Sequence, residues 1–151
     1  MRLAALAVIA CRAATSTPPI ANHPDEDWPA RVKRLCDAVG RPETSVDITV
    51  GFGRGAPSRS VVPDYTWVTW AITSPESVRR AGVILRGSVD GPIAWAAFLD
   101  TPTLTVPQLC AILGIQAYGT QCEQQTGLAL VIVADVDGTT QVSCRRYSRP
   151  D

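Results

Sequence analysis

Hydrophobic and polar positions change their period several times along the chain, and each change marks an element. Trp28, Val32, Leu35, Cys36 and Val39 recur at the spacing of one helix face, with Asp27 and Pro29 where a helix begins and Gly40 and Pro42 where it ends. This predicts a helix over 29–39. Its charged residues Arg31, Lys33, Arg34 and Asp37 fall on the opposite side and are expected in solvent. Val46, Ile48, Val50 and Phe52 then alternate with Asp47, Thr49 and Gly51, the period of a half-buried strand. A loop is expected over 53–63. The run Tyr65-Thr-Trp-Val-Thr-Trp-Ala-Ile72 is dense in aromatic and β-branched residues and reads as a strand. Thr73-Ser-Pro-Glu76 has the form of a capping box with Pro in the first turn, which predicts a short helix reaching Arg80.

Two hairpins follow from turn chemistry. Strands over 83–89 and 93–99 flank Asp90-Gly91, and strands over 128–134 and 139–147 flank Asp137-Gly138; both dipeptides tolerate positive φ. Between them, Thr105-Val-Pro-Gln108 is a second capping box, opening a helix through Leu109, Cys110, Ile112 and Leu113 to Gly114. Residues 115–127 have no clear period. Leu35-Cys-Asp-Ala-Val-Gly40 and Leu109-Cys-Ala-Ile-Leu-Gly114 share one pattern at a helix C-terminus, as two helix-plus-hairpin halves would, or as common residue types do by chance. Adjacent antiparallel strands with segregated helices predict an α+β fold, mostly antiparallel sheet with two main helices.

A composition shift sets the domain boundary. Residues 11–27 are rich in Pro, Thr, Ser and other small residues, with too little apolar surface to offset the entropy of ordering, and are expected to be a tether. Residues 28–151 suffice for one hydrophobic core, and the 46% hydrophobic content argues for a single globular domain. Formal net charge is +0 and the arginines are scattered, so no basic stripe for nucleic acid is present. No apolar run approaches the roughly 20 residues of a membrane span.

The N-terminal segment 1–10 bears on location. Arg2, a run of apolar residues and then Val8-Ile9-Ala10-Cys11 resemble a bacterial lipoprotein signal. The resemblance implies cleavage before Cys11, diacylglycerol on its sulfur, and anchoring to the cell membrane or envelope through lipid rather than a spanning helix. Cleavage after Ala13 would instead give a secreted chain. With Cys11 set aside, Cys36, Cys110, Cys122 and Cys144 remain, an even number that in a small exported domain reads as two disulfides with three possible connectivities. The preferred pairing is Cys36–Cys144 with Cys110–Cys122, since the second closes a short loop and leaves the first to tie helix to last strand.

Candidate chemistry is sparse. There is no C-x-x-C pair, and the only histidine, His23, lies in the tether, so no metal, no cofactor and no Ser-His or Cys-His catalysis is expected. The run from Leu130 through Asp135-Val-Asp137-Gly138-Thr139 resembles the first motif of haloacid-dehalogenase-type phosphatases. That resemblance implies Asp135 as nucleophile, Asp137 as acid/base and a bridging Mg²⁺. The following residues read instead as a strand that returns at once, without Lys, which makes Asp137-Gly138 a hairpin corner. Gly51-Phe-Gly53-Arg-Gly55 leads into no helix and is expected to be an exposed loop whose Arg54 and Arg59 can meet an anionic partner. Tyr65 and Trp67 fall on one face of their strand, with Val68, Trp70 and Ile72 on the other. The first expectation is that a second layer covers both faces; if Tyr65 and Trp67 are instead outward, they form a flat aromatic surface suited to glycan or protein contacts. The candidate binding surface is therefore Arg54, Arg59, Tyr65 and Trp67, and no catalytic residue is assigned. These features lead to an exported, lipid-anchored envelope protein acting as a binding module for an envelope protein or glycan. The alternative is a small envelope hydrolase using convergent carboxylates drawn from Asp47, Asp64, Asp100 and Glu123.

Overall fold

A computed structural model of the chain describes residues 27–87 and 91–147. The signal-like segment 1–10, Cys11, His23 and Asp90 of the first hairpin turn lie outside the described residues. Helix α1 (Trp28–Ala38) begins as its sequence predicts, with the Asp27 carboxylate accepting from the Ala30 N–H at 3.1 Å. Helix α2 (Val106–Leu113) forms both arms of its capping box between Thr105 and Gln108, and Gly114 ends it at φ +69°. The strands are β1 (Gly53–Arg54), β2 (Ser58–Val62), β3 (Tyr65–Ser74), β4 (Arg80–Arg86), β5 (Ile93–Thr101), β6 (Ala117–Tyr118), β7 (Gln121–Thr126), β8 (Ala129–Val136) and β9 (Thr139–Arg146).

All nine strands join one sheet in the order β1-β3-β4-β5-β9-β8-β7-β6, with β2 also paired to β3 and every pairing antiparallel. Two meanders, β3-β4-β5 and β7-β8-β9, meet along their last strands, and a helix precedes each. The repeated Leu-Cys-x-x-aliphatic-Gly pattern thus occupies the same place in both halves. The bridges do not follow that correspondence. Cys36 of α1 pairs with Cys144 on β9 of the other half, whereas Cys110 of α2 pairs with Cys122 on β7 of its own. The protein is mostly an antiparallel sheet with two helices and two disulfides, a cross-linking that fits an oxidising, extracytoplasmic environment. No helix among the described residues is long and apolar enough to cross a membrane.

One face of the sheet carries the core. Val68, Trp70, Ala81, Val83, Leu85, Ala97, Leu99, Val131, Val133, Val142 and Cys144 point to it and are buried. Helix α1 covers β5 and β9 with Trp28, Val32 and Leu35, and α2 covers β7 and β8 with Val106 and Leu109. Buried Ile48 and half-buried Val46 join the same core from the segment after α1, Val46 lying beside Val68, Trp70 and Val83. Each fully buried Leu, Ile or Val contributes about 1.5–3 kcal/mol relative to exposure.

Four expectations are corrected. Arg31 is not solvated: it is 8% exposed, its guanidinium lies 4.7 Å from the Trp28 ring centroid, and it donates to Ser77 Oγ at 3.1 Å. Its planar cation stacks where a lysine would not. Residues 46–52 form turns rather than a strand, because the Asp47 carboxylate takes both the Thr49 N–H (3.0 Å) and its hydroxyl (2.8 Å), and the Phe52 N–H bonds the Thr49 carbonyl at 2.9 Å. The expected loop 53–63 holds edge strands β1 and β2; every β2 side chain is exposed, so no alternation marks the strand. The expected helix after Thr73 is absent. Ser77 and Val78 are buried in a turn closed by the Val78 N–H on the Pro75 carbonyl at 3.1 Å, and the Arg79 N–H bonds the Asp100 carbonyl at 2.9 Å, so the sheet takes the backbone the helix needed. The unassigned stretch 115–127 supplies the β6-β7 hairpin, in which only Cys122 is buried.

Candidate functional site: the open face of the sheet

Strand alternation sends every second side chain away from the helices, and pairing lines them up across the molecule. One row runs Trp67, Ile84, Ala96, Arg145, Leu130 and Gln125; the next Thr69, Gly82, Phe98, Ser143, Ile132 and Glu123; the third Ala71, Arg80, Asp100, Gln141, Ala134 and Gln121. An irregularity between Ile84 and Leu85 adds a residue to β5, and Trp95 meets Tyr65 there at 5.6 Å between ring centroids.

Trp67 is the exposed member of this aromatic group, at 40%. Its ring lies 6.2 Å from Phe98, tilted by 58°. Phe98 is itself buried, because Gly82 offers no side chain beneath it: a Cβ at position 82 would stand 2.2 Å from Phe98 Cζ. The Arg80 guanidinium lies 5.5 Å from the Phe98 ring centroid. Arg80 Nε donates to Asp100 Oδ2 at 2.7 Å and Gln141 Nε2 to Asp100 Oδ1 at 2.8 Å, so the buried carboxylate has a partner on each oxygen. The third row is thereby a fixed polar border to the aromatic ground.

The structure brings Tyr65 and Trp67 onto this face and places Arg54 and Arg59 on the other. Arg59 stands opposite inward-facing Val68 and pairs with Glu43; Arg54 stands opposite inward-facing Ile72, 5.4 Å from the Trp70 ring centroid and 3.9 Å from Asp47. Phe98, Gly82, Arg80 and Trp95 complete the site, and sequence reasoning missed them. Their only trace is a glycine inside an aliphatic strand, which marks a close approach from a neighbour.

Two clefts flank one end of the sheet. The larger, about 630 Å³, is lined by Thr101, Thr105, Thr139, Thr140, Arg79 and Asp135 among others, and Arg79 Nη2 donates to Thr139 Oγ1 at 2.7 Å. The second, about 510 Å³, has Asp137 in its wall. Each cleft has one carboxylate among its described lining residues. Asp135 accepts from the Gly138 N–H at 2.9 Å, Asp137 and Gly138 sit at φ +52° and +77°, and β9 returns at once along β8. The Asp-x-Asp-Gly-Thr run is therefore a hairpin corner, with none of the crossover that the phosphatase motif requires. Of the carboxylates Asp47, Asp64, Asp100 and Glu123, Asp100 on β5 and Glu123 on β7 are kept apart by β9 and β8. Among the described residues no cluster of three or more His, Cys, Asp or Glu converges as a metal site would need.

No protein-family model matches the chain, and neither does any curated protein or solved structure.

Proposed function

We propose that the chain is an exported, lipid-anchored α+β domain of the cell envelope that works as a binding module through the open face of its sheet. Cys11 carries the lipid in this reading, and residues 11–27 hold the domain off the membrane. The observation that carries it is a sheet face that no helix among the described residues covers. An antiparallel sheet that faces water normally shows polar side chains there. Here Trp67, Ile84, Trp95 and Ile132 stand on it, only partly buried, while both helices occupy the other side. Contiguous apolar ground rimmed by polar groups, here Arg80, Arg86, Gln141 and Arg145, is the mark of a contact surface. A binding role also suits the clefts better than glycoside hydrolysis, which would need two carboxylates facing one substrate where each cleft has one.

Co-sedimentation of the purified Cys11→Ser chain, which has no lipid to hold it to membrane, and of further variants made in it, with cell-envelope fragments tests the reading. Trp67→Ala and Ile132→Glu are expected to abolish sedimentation together with the envelope, while Ile112→Glu, an exposed position on α2, leaves it unchanged. Equal sedimentation of all four proteins would refute the open face as the contact surface.

A further inference from the structure

A groove of about 590 Å³ runs beside Trp67, lined by Ser58, Ser60 and Val62 of β2 with Trp67 and Thr69 of β3. Register sets Ser60 opposite Trp67 and Ser58 opposite Thr69, so the indole rises beside side chains much smaller than itself. Phe98 flanks the indole on the β4 side, and the groove opens on the β2 side. None of the five lining residues is charged. Among the described residues, none of the Ser58, Ser60 and Thr69 hydroxyls makes a side-chain hydrogen bond within the protein.

We infer that this groove binds an uncharged sugar ring of an envelope glycan, stacked on the Trp67 indole and hydrogen-bonded by the Ser58, Ser60 and Thr69 hydroxyls. The inference rests on the binding-module reading above and names its ligand class. A pyranose offers a face of C–H groups and a rim of hydroxyls, and the groove offers an aromatic face beside groups that both donate and accept. None of the lining residues carries a charge that would pair with an anionic or cationic partner, and hydroxyls with no partner inside the protein exchange only water for a ligand. The support is also built in advance. Phe98 is seated on Gly82 and lies within ring contact of Trp67, so the indole is held in place before a ligand arrives, which cuts the ordering cost of binding. A protein strand added to the β2 edge would use its backbone and would have no need of the indole.

Titration of the full chain with chitohexaose, maltohexaose and mannohexaose, followed by calorimetry and by the Trp67 indole N–H signal in NMR, tests this. At least one of the three is expected to saturate and to shift that signal. Trp67→Ala should weaken binding by roughly tenfold or more, as loss of one aromatic stacking contact implies, and Trp67→Phe should restore part of it. Gly82→Ala, which touches no ligand, should weaken binding by displacing Phe98, while Ile112→Glu, exposed on α2 on the other side of the sheet, should not. Near-UV circular dichroism identifies any variant that fails to fold. If none of the three sugars binds in a Trp67-dependent way, the sugar assignment is overturned; should the Cys11→Ser chain still sediment with the envelope in a Trp67-dependent way, the contact surface stands with a protein partner. If neither depends on Trp67, both readings fail.

Discussion

Removing the Cys36–Cys144 bridge by double substitution to alanine is expected to cost the fold about 5 kcal/mol, against about 3 kcal/mol for removing Cys110–Cys122. The difference is one of chain entropy. The bridges span sequence separations of 108 and 12 residues, and the denatured-state freedom that a cross-link removes grows with the logarithm of its loop. The short bridge lies inside the long loop and shortens it by only about a tenth, which a logarithm barely registers. Packing terms nearly cancel in the comparison. Cys110 and Cys122 are 1% exposed, Cys144 is 0% exposed and Cys36 is half-buried, so each alanine pair leaves a similar void. Alanine is preferable to serine, whose hydroxyl would be buried without a partner. Urea unfolding of the wild type and both double variants, analysed by linear extrapolation under non-reducing conditions, measures the two losses. Free energies rather than midpoints are compared, because a chain with fewer cross-links exposes more surface on unfolding. A loss of about 5 kcal/mol is comparable to the whole stability of many domains, so the Cys36–Cys144 variant should be close to unfolding in buffer alone. Equal losses, or a greater loss for the short bridge, would refute the loop-entropy account, and a free thiol at any of the four positions in native protein, found by alkylation, would refute the pairing.

Three further outcomes are expected. Cys11→Ser should move the protein from the membrane fraction to a soluble or unprocessed form, and unchanged fractionation would rule out lipid anchoring at that residue. Asp137→Asn should melt like the wild type, since Asn accepts φ near +52°, whereas Gly138→Val, forced to φ +77°, should lose on the order of 1–3 kcal/mol in a thermal melt. Asp100→Ala strands the Gln141 amide and frees Arg80 from its border position; a loss of about 1–3 kcal/mol is expected, reduced in Asp100→Asn, which keeps an acceptor for Gln141.

The elements legible in the sequence are those whose signal is local. Asp27 and the Thr105-Gln108 pair cap their helices through atoms three residues apart, and Asp137-Gly138 makes its corner through its own φ angles. The alternation of Val68, Trp70 and Ile72 against Tyr65 and Trp67 sorted β3 into two sides, but that both helices pack on the first and no described element on the second was visible only in the structure. At Thr73 the sheet overrode a local signal, and at Asp47 a local turn overrode a strand pattern. Thr73-Ser-Pro-Glu76 has the letters of a capping box, yet the backbone at Arg79 bonds Asp100 across the β4-β5 ladder. Val46 to Phe52 have the alternation of a strand, but Asp47 captures the Thr49 amide before a ladder can form.

By itself the sequence determined the two main helices, the Asp137-Gly138 corner, the two sides of β3 and a workable pairing of the cysteines, because capping, turn geometry, side-chain period and loop length act over short distances along the chain. Only the tertiary structure decided what those faces meet. It joined two meanders along β5 and β9, put both helices on one side, seated Phe98 on Gly82, and set Arg59 on the opposite face from Trp67. The physical reason is that strand register and layer packing are settled by contacts between residues far apart in sequence, and no local pattern encodes which distant strand will lie alongside.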